Sequence, residues 1–278
     1  MVVFPNCKIN LGLNITGKRA DGYHNLETFF FPLLIHDGLE VINAADAVTR
    51  DAVQFFQSGI KIDAAPENNL CVKAYQLLKA DFPQLFPIKM HLQKTIPTGA
   101  GLGGGSADGT FTLLLLNKKF NLNLSTARLI NYALKLGSDC PFFIINQPCF
   151  AQGRGEVLEE IKIDLAAYKF QIINPGIHIN TGWAFSQIQP SAPVKSIKEI
   201  IQQPIETWKE YLVNDFEEPV LQHHPQLRFI KEQLYKQGAV YAAMSGSGST
   251  FYGIFKSAQK TGLHCWPKEY FVKEVSAV

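Results

Sequence analysis

KTIPTGAGLGGGSADGT, residues 94–110, sets six glycines among seventeen residues between a predicted strand and a predicted helix. On its N-terminal side Ile88, Met90 and Leu92 alternate with Lys89, His91 and Gln93, the period-two pattern of a half-buried strand. On its C-terminal side the run 106–111 leads into four consecutive leucines, 113–116, a predicted helix with small polar residues in its first turn. A glycine-rich turn between strand and helix lets backbone N–H groups converge, and the helix start adds positive potential at the same place. Phosphate oxygens suit such a concavity. Glycine is needed wherever the backbone approaches a ligand closely or takes a positive φ.

Several owners compete for this turn. Gly99, Gly101 and Gly104 satisfy GxGxxG, the dinucleotide fingerprint, which requires an acidic residue roughly 20 positions later to hold a ribose. No Asp or Glu lies between Asp108 and Asp139, which weakens that reading. The P-loop pattern requires Lys-Ser or Lys-Thr after its last glycine, whereas Gly105 is followed directly by Ser106. A glycine-rich turn that binds nothing also stands, set against the stability that clustered glycines cost.

Pro97, Thr98, Gly99, Ala100, Gly101, Leu102, Gly103, Gly104, Gly105, Ser106 and Ala107 together resemble the P-x-x-x-G-L-G-S/G-S-A/S loop of the GHMP kinases. That superfamily includes galactokinase and the homoserine, mevalonate and phosphomevalonate kinases. The resemblance implies an α+β, two-domain GHMP kinase fold with the active site in the interdomain cleft. It also implies ATP as co-substrate, its phosphates in this loop, with Mg2+ expected beside it. Ser106, at the helix start, then helps to place the β-phosphate or the metal. Thr98 and Ala100 fall where the family loop varies, which is harmless if backbone amides do the binding.

The chain of 278 residues is long enough for one large domain or two ordinary ones. A content of 46% hydrophobic and 18% charged residues describes a soluble globular protein with a full core. The net charge of +2, without a long basic block, gives no electrostatic support for a nucleic-acid partner. Cys7, Cys71, Cys140, Cys149 and Cys265 are scattered, with no CxxC pair and no Cys/His zinc spacing, so no metal site is expected from them and reduced thiols are. The first ten residues, MVVFPNCKIN, lack the charged start and long apolar stretch of a signal peptide, and no apolar run is long enough to span a bilayer. A cytoplasmic protein without a membrane partner is expected, as a monomer or weak homodimer.

Along the chain, Ile9, Leu11, Leu13 and Ile15 form one face of a predicted strand, with Lys8, Asn10, Gly12 and Asn14 on the other. Residues 29–35 and 39–42 suggest further strands, and 69–79 a helix. Ser125 is a good N-cap for a helix over 126–136, and Gly137 fits its C′ position. Residues 142–145 read as a buried strand. Composition changes near Gly153-Arg154-Gly155-Glu156, which places a boundary between domains at 1–155 and 156–278. Beyond it, strands are expected over 171–174, 240–244 and 251–255, and helices over 195–202 and 225–237.

Taken residue by residue, several of these positions have ordinary explanations. Lys8 and Asn10 can share a solvated strand face. Asp21-Gly22 is a common turn, Tyr23 and His24 can be packed residues, and Asp139 can cap the next element. Together they match something narrower. The string running from Pro5 through Lys8-Ile9-Asn10-Leu11 to Ala20-Asp21-Gly22-Tyr23-His24 resembles the GHMP branch that acts on a cytidine diphosphate-linked polyol in the non-mevalonate route to isoprenoid precursors. Residues 137–143 (GSDCPFF), 153–156 (GRGE) and 244–248 (MSGSG) extend the likeness.

The resemblance implies ATP-dependent phosphorylation of the polyol's 2-hydroxyl. Asp139 is then the catalytic carboxylate, accepting or orienting the proton of the attacking hydroxyl, and Lys8 its partner. Tyr23 supplies a face for cytosine, His24 an edge reader, and Phe185 the second face, with Trp183 as competitor for that place. Asn10 and Thr181 are polar contacts to the diphosphate or polyol, and Asn69 falls near the adenine or ribose pocket. Cys140 stands where a small aliphatic residue is usual. Two other readings stay open: a GHMP kinase for another small alcohol such as mevalonate or homoserine, and a nucleotide-binding module without catalysis.

Overall fold

The computed structural model describes residues 1–44, 53–62 and 65–277. Its strands are β1 (Val2–Val3), β2 (Asn6–Lys18), β3 (His24–His36), β4 (Gly38–Asn43), β5 (Val53–Gly59), β6 (Ile88–Lys94), β7 (Cys149–Gly153), β8 (Val157–Glu160), β9 (Tyr168–Asn174), β10 (Tyr241–Met244), β11 (Phe251–Lys256) and β12 (Phe271–Ser276). Its helices are α1 (Leu70–Asp81), α2 (Gly104–Lys119), α3 (Thr126–Leu136), α4 (Cys140–Ile145), α5 (Thr181–Ser186), α6 (Ile197–Ile200), α7 (Trp208–Tyr211), α8 (Glu217–His223) and α9 (Arg228–Lys236). They gather into two compact units, one built from residues 1–7, 35–98 and 103–146, the other from 8–34, 99–102 and 147–278. A single cut near residue 155 does not reproduce these units. Strands β2 and β3, early in the chain, belong to the sheet that β7 and β8 complete.

The first unit holds a sheet of order β1-β4-β6-β5, in which only the β5–β6 pairing is parallel. Helices α1 to α4 join it in one apolar core that includes Leu39, Val41, Tyr75, Leu78, Met90, Leu92, Leu113 and Leu116. The alternation predicted for β6 is present: Ile88, Met90 and Leu92 are buried. The same register carries Lys94 inward, where it is 1% exposed. Helix α2 is buried on most of its circumference, as expected of a helix with no polar face. Ser125 caps α3 by accepting the Arg128 N–H, but Gly137 closes it with an extended φ of 170° rather than a left-handed turn. Residues 142–145 are helical, not a strand. Pro141 opens α4, left-handed Asn146 ends it, and packing on α2 and α3 buries residues 140–143, so no two-fold or helical period could show in so short an apolar run.

The second unit contains two sheets, β2-β3-β7-β8 and β10-β11-β9-β12; the β3–β7 and β7–β8 pairings and all pairings of the second sheet are antiparallel. Helix α9 lies on β10 and β11, and the core there gathers Leu13, Ile15, Ile173, Phe216, Ile230, Leu234 and Phe251. Strand β2 is buried along both faces, from Asn6 to Ile15. Its polar side chains are therefore not on a solvated face: Lys8 is 3% and Asn10 2% exposed. The helix expected over 195–202 shrinks to the single turn α6, capped by Ser196. That over 225–237 is a 3-10 turn, Pro225–Leu227, running into α9.

Candidate active site

The tip of the glycine loop, residues 99–102, is held within the second unit by three backbone-directed bonds. Lys8 N–H donates to Leu102 O at 3.0 Å, Thr250 N–H to Ala100 O at 3.3 Å, and Ser245 Oγ to Gly101 O at 2.8 Å. Gly101 takes a φ of +78°, and a Cβ there would lie 1.9 Å from Ser245 O. The second glycine motif, residues 244–248, thus presses backbone to backbone against the first. Asn214 holds that motif through Nδ2 bonds to Met244 O at 2.7 Å and Gly246 O at 2.8 Å, and Glu217 accepts the Met244 N–H at 2.8 Å. Beyond the tip, left-handed Gly103 is the N-cap of α2 and offers no capping side chain. The first-turn amides of a helix lack intrahelical partners and suit an anionic acceptor.

Lys8 lies beside this tip. Its Nζ donates to Asn10 Oδ1 at 2.6 Å, is 3.4 Å from Gly101 O, and sits 5.0 Å from the centre of the Phe30 ring. Asn10 is fixed in turn: its Nδ2 donates to Thr28 Oγ1 at 2.9 Å, and its backbone N–H donates to Ser245 Oγ at 3.1 Å. Thr28 passes the chain of bonds on to Gly12 O. In the first unit, Asp139 is the half-buried N-cap residue of α4 and makes no side-chain capping bond. Its turn is pinned by the Cys140 N–H on Gly137 O at 3.2 Å and by Thr110 Oγ1 on Cys140 O at 3.0 Å. Burial pushes the neighbouring Cys140 thiol up to about 11, so it is a packed thiol rather than a nucleophile.

The aromatic residues form a second group. His24 stacks on Phe185 with ring centres 5.0 Å apart and planes at 19°, and Phe185 meets Phe216 edge-on at 4.9 Å. Trp183 packs instead on His223 at 4.6 Å. Tyr23 is 54% exposed, with the Arg154 guanidinium 4.7 Å from its ring centre. Thr181 is exposed at the start of α5, its hydroxyl 3.1 Å from Ser247 Oγ. Asn69 caps α1 by accepting the Cys71 N–H at 2.9 Å, so a structural bond already engages its Oδ1.

Several members were not picked out from the sequence. Arg154 lies in the quoted GRGE run, where only its cation–π partner shows what it does. Ser245 likewise sits in a quoted motif whose role appears once Gly101 is seen against it. Asp37, Lys94 and Asp108 form a buried ion cluster, Lys94 Nζ bonding Asp37 Oδ2 at 2.5 Å and Asp108 Oδ2 at 2.7 Å. Burial works against the Lys94 charge, but the two carboxylates more than offset it and hold its pKa above the ordinary value. Burial raises Asp108, to about 7. The inward register of β6 was the available signal for Lys94.

The chain belongs to the GHMP kinases: the family's N-terminal domain profile matches residues 69–153 and its C-terminal profile residues 196–272. Among its relatives, one from Bacteroides thetaiotaomicron is 52% identical over 256 residues, 92% of each chain, and one from Bacteroides fragilis (strain YCH46) is 51% identical over 263 residues, 94% of each. Both are named 4-diphosphocytidyl-2-C-methyl-D-erythritol kinase. A solved 4-(cytidine 5'-diphospho)-2C-methyl-D-erythritol kinase is similar over 99% of both chains, with 26% identity and a TM-score of 0.80. The Methanococcus jannaschii mevalonate kinase shares the fold, with a TM-score of 0.71 at 13% identity.

Proposed function

We propose that this protein transfers the γ-phosphoryl group of ATP to the 2-hydroxyl of 4-diphosphocytidyl-2-C-methyl-D-erythritol, in the non-mevalonate pathway to isoprenoid precursors. The observation that carries the choice of substrate is the His24–Phe185 stack with Tyr23 adjacent in the chain. Mevalonate and homoserine, as acceptors, carry no nucleobase to place between aromatic faces. The relatives at about half identity over nearly the whole chain support the same choice.

In this reading the loop amides and the start of α2 hold the ATP phosphates, and Asn69 lies by the adenosine. Cytosine displaces the His24–Phe185 contact or extends it: Tyr23 and Phe185 supply faces, His24 reads the base edge, and Arg154 keeps the Tyr23 ring oriented. Asn10 and Thr181 contact the diphosphate or polyol. Asp139 takes the proton of the 2-hydroxyl as its oxygen bonds to phosphorus and the bond to the ADP oxygen breaks. Lys8, held in place by Asn10, offsets charge on the moving phosphoryl group. Lys8 and Asp139 belong to different units, so each role rests on that residue's own surroundings and on the family pattern.

Mg2+ binds through one or two protein oxygens and substrate phosphates rather than a protein cage. Among the described residues no group of three His, Cys, Asp or Glu side chains is placed to hold a metal, and the half-buried Ser106 hydroxyl in the first turn of α2 fits that sparse donor set. The ion would neutralise charge on the transferring phosphates. Among the described residues no helix is long and apolar enough to cross a membrane. The chain is proposed to act in the cytoplasm, as monomer or weak homodimer, on small molecules alone. Residues 1–155 and 156–278 are proposed as its two inherited domains.

Tyr23→Ala tests the substrate assignment. Loss of base stacking worth about 1–3 kcal/mol raises the KM for the cytidyl substrate roughly 5- to 150-fold, with the KM for ATP unchanged. Phe185→Ala has the same effect and Trp183→Ala does not. An unchanged cytidyl KM in Tyr23→Ala and Phe185→Ala removes both residues from the pocket.

A further inference from the structure

Asp37, Lys94 and Asp108 place three ionisable side chains in the interior of the first unit, none more than 3% exposed. Their bonds are directional. Lys94, the last residue of β6, donates to Asp37 Oδ2 and Asp108 Oδ2. Asp37 Oδ1 accepts the Thr95 N–H at 2.6 Å and the Ile96 N–H at 2.9 Å, which are the residues leading into the loop. Asp108 is the fifth residue of α2, the helix that leaves the loop. Gly104, the first residue of that helix, lies so close that a Cβ there would sit 3.0 Å from Lys94 Nζ and 2.9 Å from Ile96 Cγ2. One ammonium therefore ties the entrance of the glycine loop to its exit.

Stability alone is a poor account of the cluster. Desolvating buried charges costs several kcal/mol per ion, and apolar side chains of the same volume often serve as well. Asp108 Oδ1 has no hydrogen-bond partner among the described residues, a further cost. What the ions supply is a fixed chord between the end of β6 and the start of α2. The loop spans that chord, and its amides converge on one point only at one value of it. A misplacement of about 1 Å is enough to weaken such convergent contacts severely.

Building on the proposed ATP role of this loop, we infer that Asp37, Lys94 and Asp108 are positioning residues for the phosphate loop, on which nucleotide affinity depends and cytidyl-substrate affinity does not. Tyr23, His24 and Phe185, which serve the cytidyl end, belong to the other unit. The test measures binding rather than turnover. Wild type, Asp108→Asn and Lys94→Met are titrated calorimetrically with the β,γ-imido analogue of ATP and, separately, with the cytidyl substrate, and their thermal unfolding is followed. Both variants lose tenfold or more in affinity for the analogue, while affinity for the cytidyl compound stays within twofold. Asp108→Asn, which keeps shape and size, decides the matter should Lys94→Met fold poorly. Wild-type analogue affinity in Asp108→Asn overturns the inference, as does an equal loss for both ligands. A wild type that binds no analogue overturns the reading of the loop as well.

Discussion

Asp139→Asn lowers kcat about 10²–10⁴-fold, the usual worth of a positioned general base, and leaves ATP binding nearly unchanged. The substitution keeps the side chain's size and removes its charge. Asp139 makes no side-chain capping bond in α4. Its backbone is fixed by the Gly137–Cys140 bond and by Thr110, neither of which the substitution touches. The nucleotide contacts assigned to the loop lie elsewhere. A loss confined to kcat marks an interaction made only in the transition state, whereas a matching rise in the KM for ATP marks a binding role. Measured together, kcat and the KM for ATP distinguish the two. A variant with wild-type kcat sinks the assigned mechanism.

Gly101→Ala is the second large effect. A left-handed φ costs an L-residue about 1–2 kcal/mol, and the clash with Ser245 O adds overpacking strain of about 1–3 kcal/mol. Ser245 cannot step aside, because Asn214 and Glu217 grip its neighbours Met244 and Gly246. Thermal unfolding drops by roughly 5–15 °C, and affinity for ATP falls with it as the tip of the loop shifts. Gly105→Ala makes the opposing control. A Cβ at Gly105 meets nothing within 4 Å, and its backbone is helical. Alanine there gains about 0.5–1 kcal/mol of stability and still weakens ATP binding, since on the proposed role of the loop its methyl group competes with phosphate for the same space. Equal Tm and equal ATP affinity across wild type, Gly101→Ala and Gly105→Ala contradict the account of the loop.

The glycine-rich turn was legible because its constraint is local. Glycine at 99, 101 and 103 reflects positive φ angles, and sequence shows where side chains are forbidden. Strand β6 was legible for the same reason, its alternation being set by one buried face. Strand β2 was legible as a strand, but the burial of its polar face was not: with both faces buried, polar residues on the exposed and interior sides look alike, leaving Lys8 and Asn10 open to the solvated reading. The short helix α4 failed in the opposite way: its buried apolar run showed no period at all. Partnerships between distant residues were the least visible. Nothing local in the sequence joins Lys94 to Asp37, or Arg154 to Tyr23. Lys94 could have been questioned from its inward register alone, since a lysine there demands a carboxylate, but which one is fixed only by the fold.

Purified protein is incubated with ATP and, in parallel, with 4-diphosphocytidyl-2-C-methyl-D-erythritol, mevalonate and homoserine, and the products are identified by phosphorus NMR and mass spectrometry. ADP and a single new phosphomonoester on the 2-hydroxyl of the cytidyl compound are expected, with the other two alcohols left unphosphorylated. Phosphorylation of mevalonate or homoserine with the cytidyl compound untouched contradicts the proposed activity.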